Sequence, residues 1–171
     1  TFKGLPWRHD ANSREKVVLS VAEVESLRSE IGDLEVRESH YKTQLEHVDE
    51  ILRSSRLSGY LFLRTRWEAL PGETPPIDDT EVNDWVQRFV VIRGSHIYLY
   101  MSATDLSPQD STALSDVTQV GLLPSSKTHQ DDETLYCFFI LMRTGLRYEC
   151  SCTSKLQIEL WVAALRKECK L

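Results

Sequence analysis

The sequence predicts an α+β domain, mainly β, in which about seven antiparallel strands form a sandwich or partly closed barrel capped by a C-terminal helix. A coiled-coil-like helical segment precedes it. Three observations lead to this class. Apolar residues recur every three or four positions from residue 12 to about 55. From Ser58 the period changes to two and glycine-containing turns appear, and after Ser154 the helical period returns.

The first helical segment, 12–56, carries a heptad pattern. Asn12 and Glu15 have the spacing of a capping box and predict the start of the helix. Gly32 is the weak point, because glycine inside a helix costs up to about 1 kcal/mol relative to alanine. The pattern favours a coiled coil over two shorter helices that break at Gly32. Ser20 and Glu38 interrupt the seam, and its apolar members are Val17, Val24, Leu27, Ile31, Leu34, Tyr41, Leu45, Val48 and Leu52.

Alternating apolar residues and turn signals predict the strands. Gly94 and Ser95 suit a tight hairpin turn between the second and third strands, and Thr144 and Gly145 suit another near the end of the sheet. Shorter strands are expected within 112–123. The remaining predicted strands are 59–65, 84–92, 97–101, 136–142 and 146–152.

One helix closes the chain. Ser154 and Gln157 form a capping box, and the apolar residues that follow lie at positions i, i+3, i+4 and i+7. These are Ile158, Trp161, Val162 and Leu165. We therefore predict three regions: an N-terminal arm at 1–11, the helical segment at 12–56 and the β domain at 57–171.

Composition excludes several classes of function. Among 171 residues there are 20 Lys and Arg against 26 Asp and Glu, a net charge of −6, which is the wrong sign for a general nucleic-acid binder. The longest apolar runs are far shorter than the roughly 20 residues that span a bilayer. Four cysteines without regular spacing do not indicate a secreted disulfide scaffold. We expect reduced thiols and a cytoplasmic setting.

The order of the β-domain motifs resembles a pleckstrin homology (PH) domain, from residue 58 to the end of the chain. No single motif is specific, but their order and spacing are. In sequence they are Gly59-Tyr60-Leu61, Trp85-x-x-Arg88-Phe89-Val90-Val91-Ile92, 97–100, Phe138-x-Ile140, 148–152, Ser154 and Trp161-x-x-Ala164-Leu165. The resemblance implies a bent seven-stranded sandwich closed by the last helix, with Trp161 in the core.

The resemblance also implies where a ligand binds. Many PH domains bind phosphoinositides through a Lys at the end of strand 1, two basic residues in strand 2 and a Tyr in strand 3. In this sequence Leu63 stands at the strand 1 position, Val86 at the first strand 2 position and Leu99 at the strand 3 position. Only Arg88, at the second strand 2 position, matches the family. Arg64 and Arg66 share one face of their strand and supply alternative charge.

The loop between the first two strands is acidic. From Trp67 to Asp84 it holds six carboxylates and no Lys or Arg. We interpret it as a solvated gate that repels an anionic surface. A Ca²⁺ site is a more specific alternative, but the loop lacks the glycine and terminal glutamate of an EF-hand loop.

The predicted lipid-binding residues are Arg64, Arg66, Arg88, Arg143 and Arg147. The alternative for Arg64, Arg66 and Arg88 is surface solubility and cross-strand pairing. Arg143 and Arg147 flank the turn between strands 6 and 7 and would extend the pocket. We find no catalytic or zinc-binding motif, and we predict no enzyme activity, cofactor or metal. Cys150 and Cys152 are expected in the core.

These observations predict a non-enzymatic adaptor that attaches peripherally to an intracellular or plasma membrane by binding phosphatidic acid or a phosphoinositide. The alternative is a scaffold that does not bind lipid and instead binds other proteins through the helix and the PH surface. The helix itself has three open interpretations: self-association, packing on the sandwich, or pairing with a different protein. Self-association would add avidity to a weak membrane site.

Overall fold

A computed structural model describes residues 18–69, 72, 84–127 and 133–171. The predicted helix start at Asn12 and Glu15, the N-terminal arm and most of the acidic loop lie outside these residues. By packing, the chain divides between Tyr41 and Lys42 into two units.

One long helix, α1, runs over Val21–Ser54. Ser20 and Glu23 form a capping box at its described start: the Ser20 amide donates to the Glu23 carboxylate at 2.7 Å, and the Glu23 amide donates to Ser20 Oγ at 3.3 Å. This explains why Ser20 interrupts the heptad, because it caps the helix. The helix continues through Gly32, so the alternative of two helices that break there is wrong.

Seven strands are present in the described residues, as predicted. The long β1 runs over Leu57–Trp67 and extends the predicted strand at both ends. The others are β2 (Val86–Arg93), β3 (His96–Tyr100), β4 (Asp110–Ala113), β5 (Val117–Lys127), β6 (Thr134–Met142) and β7 (Leu146–Cys152). A 3-10 turn at Leu114–Asp116 joins β4 to β5.

The strands form one antiparallel sheet in the order β4-β3-β2-β1-β7-β6-β5. The long β1 lies in the middle and pairs with β2 on one side and β7 on the other. Gly94 and Gly145 have φ angles of 58° and 86°, the left-handed region that glycine adopts without strain, and they make the two predicted turns. Because β1 pairs with β7, the first and last strands of the β domain are neighbours in the sheet.

The sheet bends around a core on its inner face, which the C-terminal helix α2 (Lys155–Cys169) covers. Ser154 caps α2 by accepting a hydrogen bond from the Gln157 amide at 3.3 Å, as predicted. Trp161 is buried in this core, together with Cys150 and Cys152. The predicted core roles of these three residues are confirmed.

A smaller apolar cluster lies on the outer face of the same sheet. Ile51, in the last turns of α1, is fully buried there against Phe89, Val91 and Tyr100. One turn earlier, the His47 ring lies edge-on to Tyr100 with ring centroids 5.9 Å apart. Residues 42–54 of α1 are therefore part of the β domain's packing, as one interpretation of the helix expected.

Candidate functional site

Three of the five predicted arginines lie together on the outer face of the sheet. Leu61 and Leu63 of β1 point into the core, so Arg64 and Arg66 point outward. Arg147 of β7 lies directly opposite Arg66 in the ladder. The structure thus brings Arg64, Arg66 and Arg147 into one surface, which we call the outer arginine cluster.

Glu149 neutralises two members of this cluster. Its side chain is only 4% exposed, and its two carboxylate oxygens accept from Arg64 Nε at 2.5 Å and from Arg147 at 2.6 Å. The Arg64 guanidinium also stacks on Trp85, 4.5 Å from the ring centroid. A buried carboxylate with two cationic partners is a structural element of the sheet, because an unpaired charge at this depth is costly.

Two residues at the ends of the acidic loop complete the neutralisation. Glu68 accepts from Arg147 at 2.7 Å, and Asp84 accepts two hydrogen bonds from Arg66, at 2.6 and 3.1 Å. The hydrogen bond from Arg66 lowers the pKa of the Asp84 carboxyl below its usual value. Three arginines therefore face three carboxylates, and the outer arginine cluster carries no excess charge for an anionic ligand.

Arg88 lies on the other face of the sheet. It is paired with Leu61 across β1 and β2, and residues directly opposite in a ladder share a face, so its side chain is on the core-facing side. Its guanidinium donates to the Gln87 carbonyl at 2.8 Å. In the part of the chain that the structure describes, Arg88 has no carboxylate partner.

The inner face around Arg88 is apolar. Leu63 and Val86 are paired with each other next to Arg88, and Leu99 is paired with Val90 on the same face. A small apolar pocket in the adjoining core is lined in part by Leu63, Leu99, Tyr148 and Cys150. Burial raises the pKa of both the Tyr148 phenol and the Cys150 thiol, so these groups stay neutral at physiological pH.

The fifth predicted residue, Arg143, lies in the turn between β6 and β7. It is exposed and donates to the Ser115 carbonyl at 3.2 Å. The structure does not bring it into the outer arginine cluster by any hydrogen bond or ion pair that the described residues make. The five arginines thus occupy three separate places: the outer face, the inner face and a turn.

Sequence reasoning missed Glu149 and Trp85 as members of this site. The sequence gives little indication of either role. Glu149 is one polar residue within a predicted strand, and Trp85 is one position of the family motif. Only the pairing of β1 with β7 sets Arg64 opposite Glu149. The register between β1 and β7 therefore brings these side chains together, and the residue types alone do not predict it.

Within 18–69, 72, 84–127 and 133–171, no group of three or more His, Cys, Asp or Glu side chains has the geometry to hold a metal ion. In the same residues, no helix is both long enough and apolar enough to cross a bilayer.

Residues 56–170 match the model of the PH domain family. The chain belongs to the PH domain family. This family is generally non-catalytic, and its members are lipid- or protein-interaction modules.

Solved PH domains are among the structures similar to this chain. The PH domain of ArhGAP27 has a TM-score of 0.44 and 16% sequence identity, covering 66% of this chain and 97% of that one. The PH domain of mouse Ethanol Decreased 4 protein has a TM-score of 0.45 and 21% identity, covering 67% of this chain and 87% of that one. No curated protein sequence matches the chain.

Proposed function

We propose that this chain is a non-enzymatic PH-domain scaffold that binds a protein partner and has no phosphoinositide pocket among the residues that the structure describes. One observation carries the proposal: the arginines that replace the family's basic residues point away from the family's ligand face and are neutralised by Glu68, Asp84 and Glu149. On the ligand face, Leu63, Val86 and Leu99 stand where a phosphate would need cations or donors.

An exposed aromatic pair on the outer face supports a protein partner. Tyr60 and Phe62 of β1 are 44% and 40% exposed, and Phe62 lies opposite Gln87 on the neighbouring strand. Aromatic side chains left exposed on a sheet face are typical of protein contact surfaces. The neutral outer arginine cluster begins at Arg64, two residues farther along the same face, and gives this aromatic pair a polar rim.

The second candidate function is membrane attachment through phosphatidic acid or a phosphoinositide. One observation favours it: Arg88 keeps the family position and has no carboxylate partner in the described residues. A single arginine that donates to one phosphate would give weak, salt-sensitive binding.

Vesicle sedimentation distinguishes the two. The purified chain is mixed with vesicles of neutral lipid alone, with added phosphatidic acid, or with each added phosphoinositide, at low salt. We expect no selective binding to any of them. Selective binding to one head group, lost in Arg88→Ala, would overturn the protein-scaffold proposal and establish the membrane function.

A positive test uses the aromatic pair. Affinity capture from a cell extract is compared among the wild type, Phe62→Asp and Gln87→Asp. The two variants add the same charge at directly paired positions, but only Phe62→Asp removes aromatic surface. We expect Phe62→Asp alone to lose a captured protein; equal capture by all three would contradict a partner site at Phe62.

A further inference from the structure

Residues 24–41 of α1 carry an open apolar seam. The a and d positions Leu27, Ile31, Leu34 and Tyr41 are 45%, 54%, 50% and 64% exposed. Helices in proteins gain most of their stability by burying such a face. A heptad seam is the surface by which one helix packs on another.

Four charged residues flank this seam. Arg28 and Glu35 occupy e positions, and Glu30 and Arg37 occupy g positions, when Val24 is at a. Among the described residues, none of these four side chains makes a hydrogen bond or an ion pair. The charges beside the seam of a coiled coil select the partner and the orientation.

A parallel pairing of two copies of this helix is disfavoured. In a parallel pair, each g residue faces the e residue five positions later in the partner. Glu30 would then face Glu35 of the second copy, and Arg37 would face Lys42. Glu23 opposite Arg28 would be the one attractive contact of this arrangement.

An antiparallel pairing centred between Gly32 and Asp33 removes both repulsions. In an antiparallel pair, g residues face g residues and e residues face e residues. With this centre, Glu30 faces Arg37 of the second copy and Arg28 faces its Glu35. Each contact occurs twice because of the two-fold symmetry, which gives four attractive pairs and no like-charge pair among these residues.

Moving the pairing by one heptad loses this match. A shift that centres the pair at residue 36 sets Arg37 opposite Arg37 and Glu35 opposite Glu35. A shift that centres it at residue 29 sets Glu30 opposite Glu30 and Arg28 opposite Arg28. Charge complementarity therefore selects both an orientation and a register.

We propose that residues 24–41 pair with the same residues of a second copy of this chain as an antiparallel two-stranded coiled coil centred between Gly32 and Asp33. The apolar layers of this pair follow from the register. Ile31 packs on Leu34 of the second copy, and Val24 packs on its Tyr41. Glu38 lies opposite Leu27, which weakens the dimer without disturbing the register.

The dimer joins two PH domains in one particle. It therefore raises the avidity of the domain for any ligand presented in more than one copy, whether a protein or a membrane. The proposal does not depend on which ligand the PH domain binds, and its test uses no ligand.

Sedimentation equilibrium of the full chain over a wide concentration range tests the pairing. We expect a reversible monomer–dimer equilibrium. In Glu30→Arg, two attractive pairs become repulsive, and we expect the dimer to dissociate about tenfold more readily. The double variant Glu30→Arg/Arg37→Glu exchanges the two charges and is expected to restore the dimer.

Glu25→Arg is the matched control, because it makes the same charge change at a b position outside the seam. It is expected to leave the dimer unchanged. In a parallel dimer, Glu30→Arg would face Glu35 and tighten the association. A monomer at all concentrations, a tighter dimer in Glu30→Arg, or no rescue in the double variant would overturn the proposal.

Cross-linking tests the register directly. In a Cys169→Ser background, Leu27→Cys and Glu38→Cys chains are mixed and treated with a short bis-maleimide. The antiparallel pair predicts a cross-linked dimer in the mixture and little in either variant alone. A cross-link in Leu27→Cys alone would indicate a parallel pair and overturn the proposal.

Discussion

Arg64 and Arg88 lie on opposite faces of the sheet, although their strands are hydrogen-bonded neighbours. Arg64 follows the buried Leu63 and points outward, whereas Arg88 is paired with the buried Leu61 and points to the core-facing side. They therefore cannot share one phosphate group through the sheet. The displacement of a basic residue by one position along β1, from the family's place to Arg64, moves its charge to the other face.

This arrangement predicts that a cation on the inner face restores an anionic site. Val86 is 45% exposed and lies on the same face as Arg88, two residues before it. We expect Val86→Lys to increase binding to vesicles that contain a phosphoinositide about fivefold, because one basic residue near an anionic surface contributes about 1 kcal/mol. Vesicle sedimentation at fixed salt measures the change.

Gln87→Lys is the control for this prediction. It adds the same charge one residue away, on the outer face opposite Phe62. We expect a smaller increase than for Val86→Lys. Equal increases in both variants would mean that net charge, not the inner face, determines binding.

Glu149 is expected to be essential for stability. Glu149→Gln leaves Arg64 without its carboxylate partner and Arg147 with Glu68 alone, at a position that is only 4% exposed. We expect a loss of about 2–3 kcal/mol in the free energy of unfolding, measured by urea denaturation. Glu46→Gln, on the exposed surface of α1, is the control and should lose little; equal losses would contradict a structural role for Glu149.

The ion pair between Asp84 and Arg66 is expected to make stability depend on pH. The folded-state pKa of Asp84 is lowered, so the pair stabilises the fold above the unfolded pKa of about 4. This stabilisation is lost as the pH falls through the lower folded-state pKa. Asp84→Asn should therefore be less stable than the wild type at pH 7, and the difference should shrink on acidification below about pH 4.

A double-mutant cycle with Arg66→Gln isolates the pair. In the Arg66→Gln background, Asp84→Asn should change the free energy of unfolding at pH 7 much less than in the wild type. An effect of Asp84→Asn that is the same at pH 3 and pH 7 would contradict the prediction.

The two ends of α1 are expected to respond differently to the same substitution. Ile51 is fully buried against the sheet, so Ile51→Ala should cost about 3 kcal/mol in the free energy of unfolding of the β domain. Ile31 is 54% exposed, so Ile31→Ala should cost less than about 0.5 kcal/mol at low protein concentration. Urea denaturation, followed by tryptophan fluorescence, measures both variants; similar losses would contradict this packing of α1.

Local patterns predicted most of the fold. Glycines at Gly94 and Gly145 indicated their turns because few other residues adopt a positive φ, and the capping box at Ser154 indicated the start of α2. The apolar periods predicted a helix, strands and a final helix, because each element must bury one face. Ser20 interrupts the heptad pattern, and only the structure shows that Ser20 and Glu23 form a capping box there.

The candidate site was predicted less well. The sequence identified five arginines, and alternation along β1 placed Arg64 and Arg66 on a common face. It did not indicate that Glu149 lies across from Arg64, since the two residues are 85 positions apart and meet only through the β1–β7 register. It also did not indicate that Glu68 and Asp84, at the two ends of the acidic loop, pair with arginines on the outer face of the sheet.

The sequence by itself therefore determined the elements, their order and the family, because periodicity, turn glycines and caps act over a few residues. The tertiary structure decided which charges are neutralised, which face each arginine occupies and which part of α1 is buried. These depend on strand register and long-range packing. A single residue of register reverses the face of every side chain in a strand, and no local pattern specifies the partner strand.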